Sequence, residues 1–237
     1  MNMRKVLICT PMYDSSCKAQ YALSMIELMT KLNNEPELEV KTLFALNESL
    51  ITKTRNLLTH SFLNSDCTHL LFIDSDIGFD ADQLIRFMKT DKPVLCGVYP
   101  KKNLDWSKVT NAVRAGIPPN NLLRHSLDYL FLQSPNAIVD DEGLVEIDAS
   151  GTGMMMISRE VFEKLSDSVD SFRLESKLDN VSNDGEFIKE FFKSTIDNQS
   201  LVYLHEDFTF CKMCKSIGEK IYAATWMNLS HSGSFVY

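Results

Sequence analysis

The chain has 237 residues, enough for one large α/β domain or two small ones, and its 44% hydrophobic and 24% charged content is that of an ordinary globular protein. A chain of this size builds its core without disulfide staples. The formal net charge of −8 argues against broad attachment to nucleic acid or to an anionic membrane, although a local basic patch remains compatible with it.

The six cysteines are scattered. Cys9, Cys67 and Cys96 lie in or beside apolar runs and read as small core residues. Cys211 and Cys214 form a lone C-x-x-C with no second pair, so they read as one side of a helix rather than as zinc ligands, with a reducing compartment. No apolar run approaches a membrane span, and the first residues lack a signal-peptide layout. A cytoplasmic protein is expected, or one working at a membrane surface.

Lys5–Thr10 reads as a first buried strand, followed by Pro11, Met12 and Tyr13, so that the strand ends in Thr-Pro before a polar turn. A strand, such a turn and a helix together present backbone amides to a nucleotide. Helix periodicity follows, with Tyr21, Met25, Leu28, Met29 and Leu32 on one face, read as core. Leu38–Ala45 is a second strand. Ser49–Asn64 is a helix whose single arginine, Arg55, has a planar fork suited to a phosphate or a base edge; the alternative is a solvated helix residue.

Leu70–Ile73 is a short buried strand ending abruptly in Asp74-Ser75-Asp76. Two carboxylates at the carboxyl end of a buried strand stand where open α/β sheets bind ligands, and they need positive charge nearby. A divalent cation carrying a phosphorylated ligand meets that need, and hard oxygen donors suit Mg²⁺ or Mn²⁺. The alternative is that Asp74 and Asp76 are turn and cap residues before the helix from about Asp80 to Lys89. Pro93–Tyr99 is a further buried strand, running into Pro100-Lys101-Lys102, whose cations face a phosphate or an acceptor, or simply water. The strand–helix alternation so far implies parallel strands with right-handed crossovers.

Trp106–Asn136 is interrupted and unassigned. Val139–Leu144 reads as a hairpin turn with solvated acids. Val145–Ile157 reads as a strand broken at Ser150-Gly151-Thr152-Gly153, by a bulge or by backbone approaching a ligand. Ser158 caps a helix. Asp167–Gln199 is polar with one helical segment, about Glu186–Ser194, and reads as a mobile or variable insert closing over substrate. His205-Glu206-Asp207-Phe208 precedes a helix over Thr209–Ser216 that stops at Gly218; acids at a helix start are favourable in any case. Lys220–Ala224 is a strand, and Met227–Gly233 an extended segment with His231, which alone reads as surface.

Taken in order, Thr10-Pro11, Asp74-Ser75-Asp76, Gly151-Thr152-Gly153-Met154, Glu206-Asp207 and His231 resemble the nucleotide-sugar glycosyltransferases of the GT-A fold, nearest to the family 2-like group and its small viral and bacterial relatives. The resemblance runs from Lys5 to Gly233 and is weakest over residues 102–136 and 167–199. It implies an α/β fold with a Rossmann-like, mostly parallel central sheet flanked by helices, and a smaller mixed sheet on the acceptor side. A single domain over 1–237 follows, with a nucleotide-binding half to residue 100 and an acceptor-binding half beyond.

The resemblance also assigns roles. Thr10, Pro11 and Tyr13 would line the base and ribose pocket, with Arg55 near the nucleotide and Ser75 against the ribose. Asp74 and Asp76 look like the family's DxD pair, the second touching Mn²⁺ or Mg²⁺ and the first reaching it through water or holding the ribose. His231 resembles the late histidine that completes the metal shell in some members. Gly151, Thr152 and Gly153 would border the donor sugar and acceptor. Glu206-Asp207 matches the paired acids in which the aspartate is the general base of inverting members; in a retaining enzyme it would only position substrate.

The implied partners are a nucleotide-sugar donor, UDP-linked by family frequency, and a glycan, glycolipid or other hydroxyl acceptor. The chain lacks the QxxRW-type motif of processive synthases and their membrane helices, which favours transfer of one sugar. A nucleotidyltransferase of similar fold is the alternative, weakened because residues 10–16 contain no glycine. A non-catalytic sugar- or nucleotide-binding module is another.

Overall fold

The computed structural model describes residues 3–174 and 187–233. The first half alternates β1 (Arg4–Met12), α1 (Ala19–Leu32), β2 (Leu38–Leu46), α2 (Ile51–Leu63), β3 (His69–Ile73), β4 (Ile77–Gly78), α3 (Ala81–Lys89) and β5 (Val94–Cys96). Next come β6 (Pro100–Leu104), α4 (Trp106–Arg114), α5 (Pro119–His125), β7 (Leu127–Tyr129), β8 (Phe131–Gln133), β9 (Leu144–Ser150), β10 (Met154–Ser158) and α6 (Arg159–Leu165). The rest holds β11 (Ser171–Phe172), β12 (Ile188–Lys189), β13 (Thr195–Ile196), β14 (Tyr203–Leu204), α7 (Glu206–Ser216), β15 (Ile221–Ala224) and β16 (Ser230–His231).

One eight-stranded sheet organises these elements, in the order β2-β1-β3-β10-β5-β15-β9-β8. β1 is parallel to β2 and to β3, and β15 is parallel to β5. β10 runs antiparallel between β3 and β5, so the expected direct neighbourhood of those two parallel strands is interrupted. Strand alternation divides the core in two. Leu7, Cys9, Leu70 and Phe72 face Leu57, Phe62, Phe162 and Phe210 on α2, α6 and α7. Val6, Ile8, Leu71 and Ile73 face Tyr21, Leu28, Leu84 and Met88 on α1 and α3. Both faces are covered, which is why β1 and β3 read as unbroken apolar runs rather than as alternating ones.

Three expectations change. The Val145–Ile157 stretch is two strands with different partners: β9 pairs with β15, and β10 with β3 and β5, so Gly151–Gly153 is the link between them rather than a bulge in one strand. The described part of the expected Glu186–Ser194 helix is extended instead, with β12 paired to β11; Glu186 itself lies outside the described residues. Its apolar residues go to the core: Ile188, Phe191 and Phe192 are fully enclosed. Asn56 holds the segment from α2, donating to the Phe192 carbonyl and accepting from its amide, both at 2.8 Å. Burial and this two-way clasp outweigh the local helix pattern. The 187–199 part of the expected insert is therefore packed against α2 at its start, while residues 175–186 lie outside the described ones. Finally, α7 begins at Glu206, three residues earlier than expected, which puts both acids in its first turn with His205 at the cap position.

Other readings hold locally. Cys9, Cys67, Cys96, Cys211 and Cys214 are buried free thiols, and the 140–143 turn is closed by hydrogen bonds between Asp140 and Leu144. No described helix is long and apolar enough to cross a membrane.

Candidate active site

β3 delivers Asp74 to the end of the sheet, and its amide donates to the Gly153 carbonyl at 2.9 Å. A tight turn follows, with the Ile77 amide donating to the Asp74 carbonyl at 3.0 Å. β4 then pairs antiparallel with β16, matching Ile77 to His231. That ladder, formed between segments far apart in the chain, brings His231 beside Asp76. His231 Nε2 lies 3.4 Å from Asp76 Oδ1, while Nδ1 is 2.8 Å from the Pro100 carbonyl. The other oxygen of Asp76, Oδ2, accepts from Lys102 Nζ. Burial alone would raise the pKa of Asp76, but the His231 and Lys102 contacts outweigh it and hold the carboxyl below its ordinary range.

Asp74 has a different partner. Arg55 Nη2 donates to Asp74 Oδ1 at 3.2 Å, and Arg55 Nε lies 3.6 Å from Glu206 Oε1. Arg55 is only 3% exposed, and its guanidinium lies over the Phe72 ring, 5.2 Å from its centroid. It is neither a solvated helix residue nor an open phosphate fork. It is a buried cation that ties the carboxylate after β3 to the first turn of α7. Among the described residues, Arg55 Nε and Nη1 have no hydrogen-bond partner within the distance of a true bond.

Asp207 sits next to this pair. Burial, reinforced by the neighbouring Glu206 carboxylate, pushes its pKa up to about 6, against the opposing pull of the Phe208 amide and the Arg55 charge. A carboxyl poised near neutrality can exchange a proton with a substrate at ordinary pH.

Tyr99, which the sequence did not single out, closes the floor. Its hydroxyl accepts from the Gly153 amide at 3.1 Å, and its ring meets His231 edge to face at 5.2 Å. A Cβ at Gly151 would come within 2.1 Å of the Tyr99 hydroxyl, and one at Gly153 within 2.7 Å of the ring. The two glycines therefore make room for this side chain. Thr152 between them is buried, and its hydroxyl has no partner among the described residues. A cross-chain packing partner of this kind leaves no local sequence signature.

The residues expected around a base and ribose differ in exposure. Thr10 is fully buried, its hydroxyl 2.7 Å from that of Tyr21. Pro11 is half-buried and Tyr13 is exposed. Ser75 is half-buried, and its carbonyl accepts from the Lys18 amide at 2.8 Å, joining the turn after β3 to the approach to α1.

Asp76 and His231 fit a divalent cation. With its Nδ1–H held by the Pro100 carbonyl, His231 turns its Nε2 lone pair towards Asp76, and a backbone carbonyl commonly fixes a metal-ligating histidine in this way. Among the described residues, no three His, Cys, Asp or Glu side chains surround one point. Were a cation to bind, these two donors would supply part of its shell and phosphate oxygens and water the rest, as is common for Mg²⁺.

No protein-family model matches the chain, and no curated protein matches it in sequence. Solved structures do. A197 from STIV aligns over 98% of this chain and 86% of its own, with a TM-score of 0.50 and 18% identity. GalNAc-T7 with UDP, GalNAc and Mn²⁺ aligns over 97% of this chain and 44% of its own, with a TM-score of 0.45 and 10% identity. The inositol-1-phosphate CTP transferase from T. maritima aligns over 98% and 90%, with a TM-score of 0.42 and 11% identity. At 18% identity the likeness to A197 is one of fold alone, and the architecture is an α/β one, a mixed central sheet flanked by helices, in line with the class the sequence led us to expect.

Proposed function

We propose that the chain is a metal-dependent glycosyltransferase that moves one sugar from a nucleoside-diphosphate donor, UDP-linked by default, to a hydroxyl acceptor. The observation that carries this reading is the single guanidinium of Arg55 lying between Asp74 and Glu206. It brings the Asp74-Ser75-Asp76 turn and the Glu206-Asp207 pair to one end of the sheet, as transfer between a donor and an acceptor requires.

In this reading residues 1–100 form the nucleotide-binding half and residues 101–237 the acceptor half. Thr10, Pro11, Tyr13 and Ser75 border the nucleoside, and Gly151, Thr152 and Gly153 the sugar. Asp76 and His231 would hold Mn²⁺ or Mg²⁺, and Asp74 would support the metal through water or hold the ribose. The bound cation supplies Lewis-acid stabilisation of the diphosphate as it leaves. Asp207 takes the proton of the acceptor hydroxyl while that oxygen bonds to the anomeric carbon and the bond to the diphosphate breaks. Glu206 positions the acceptor. Transfer in this way inverts the anomeric centre.

The test is a thermal-shift panel of UDP, GDP, dTDP and CMP compounds, each with Mn²⁺ and with EDTA. A ligand that binds only the folded chain raises the melting temperature by mass action. A shift confined to one nucleotide and dependent on the metal is expected, and it would be lost in Asp76→Ala. Absence of any shift in the folded protein overturns the donor class.

A further inference from the structure

Asp76 is shared by two partners that are held very differently. His231 is fixed from behind by the Pro100 carbonyl at 2.8 Å, by the edge of the Tyr99 ring, and by the ladder pairing with Ile77. Lys102 has no such support. It lies in the middle of β6, where the pairing with β7 slips between Pro100 and Leu104, and its side chain is 40% exposed while resting on Asp76 Oδ2. One carboxylate therefore carries a fixed partner on one oxygen and a releasable ammonium on the other.

We propose that Lys102 is the exchangeable counter-ion of this carboxylate. It occupies Asp76 Oδ2 in the unliganded protein, yields that oxygen to the divalent cation, and moves onto the diphosphate of the donor. This rests on the metal-site reading above. An ammonium and a divalent cation repel at one carboxylate oxygen, so the lysine must leave when the metal enters. A nucleoside diphosphate carries more negative charge than one divalent cation cancels, and a flexible ammonium already at the site is the group free to take up the surplus. Arg55 does not serve, because it is buried and committed to Asp74 and Glu206. Lys102 thus has opposite effects on the two ligands: it competes with the metal alone and assists the metal–diphosphate complex.

The experiment is titration calorimetry of the whole chain, as wild type, Lys102→Met, Lys102→Arg and Asp76→Asn. Mn²⁺ alone is titrated first, and then UDP in the presence of saturating Mn²⁺. For Lys102→Met the expected result is Mn²⁺ binding about fivefold tighter and UDP binding about tenfold weaker than wild type. Lys102→Arg should stay near wild type in both. Equal Mn²⁺ affinity in wild type and Lys102→Met, or unchanged UDP affinity, overturns the role of the lysine and leaves the metal site standing. Mn²⁺ binding that survives Asp76→Asn at wild-type affinity, or that is missing from every protein, overturns the metal-site reading and the lysine exchange with it.

Discussion

Arg55 donates to Asp74 at 3.2 Å from a position almost sealed from solvent, one helix behind the strand that carries the carboxylate. A buried guanidinium is tolerated only with compensating charge, here supplied by Asp74 and Glu206 together. Replacing it with Met leaves two carboxylates facing each other without a cation. Arg55→Met should lose about 3 kcal/mol of stability, read as a lower urea midpoint at unchanged slope. Arg55→Lys keeps the charge but not the fork, and should recover part of the loss.

Asp207 gives a pH signature of a definite sign. Its carboxyl is pushed up to about 6 by burial and by Glu206, so it is protonated below that pH and ionised above it. In its proposed role as general base it must be ionised. The kcat/KM for transfer should therefore rise about tenfold per pH unit up to about 6 and level off above it. The stability effect runs the other way. A carboxyl whose folded pKa lies above its unfolded value of about 3.9 favours the fold most below that value, and this contribution is lost as pH rises through about 6. Asp207→Asn removes the cost of ionisation. It should raise the stability at pH 7 by on the order of 1–2 kcal/mol and change little at pH 4, while abolishing transfer and leaving UDP binding intact.

How far the sequence reached depends on how local each cause is. β1, α1, β2, α2, β3 and α3 were legible because apolar runs and helical spacing are set within each segment. The insertion of β10 between β3 and β5 was not, because antiparallel pairing across about sixty to ninety residues leaves no trace in the strands. Phe191 and Phe192 misled for a related reason: their spacing suits a helix, but their burial and the Asn56 clasp are decided by a residue 136 positions away. At the site, Asp74 and Asp76 stood out because paired carboxylates are unusual after a buried strand, whereas Glu206, Asp207 and His231, ordinary at a helix start or on a surface, were marked only by their place in the ordered set of motifs. Tyr99 did not, since it is an ordinary strand residue whose role is set by where its far end reaches, and Lys102 was legible only as one of two turn cations, not as the partner of Asp76.

The space between Gly151 and Tyr99 is tight enough for a rescue experiment. A Cβ at Gly151 would sit 2.1 Å from the Tyr99 hydroxyl and 2.5 Å from Leu130, so Gly151→Ala must push the ring away from Gly153 and His231. Overpacking of this kind typically costs about 1–3 kcal/mol. Gly151→Ala should accordingly lower the melting temperature. Adding Tyr99→Phe removes the nearest clashing atom and should restore part of it, although Tyr99→Phe alone is destabilising because it orphans the buried Gly153 amide. Simple additivity of the two changes in a double-mutant cycle would show that the hydroxyl is not the obstacle.

Arg159 carries a structural load far from the candidate site. Its guanidinium donates to the carbonyls of Phe62, Leu63, Ser65 and Cys67, at 2.7–3.0 Å, and stacks over the Phe62 ring at 4.7 Å. These carbonyls belong to the end of α2 and the turn after it, groups that a helix terminus leaves without intrahelical partners. One side chain thus caps α2 and fixes the entry to β3, and through β3 the position of Asp74. Arg159→Met keeps much of the stem but leaves the carbonyls to water or unpaired. It should cost about 2–4 kcal/mol and speed amide exchange across residues 62–69 more than in α1 or α3. Arg159→Lys can reach one or two carbonyls and should recover less than half of the loss. Slow exchange at residues 62–69 in Arg159→Met would mean that packing against β3, rather than the guanidinium, holds the end of α2.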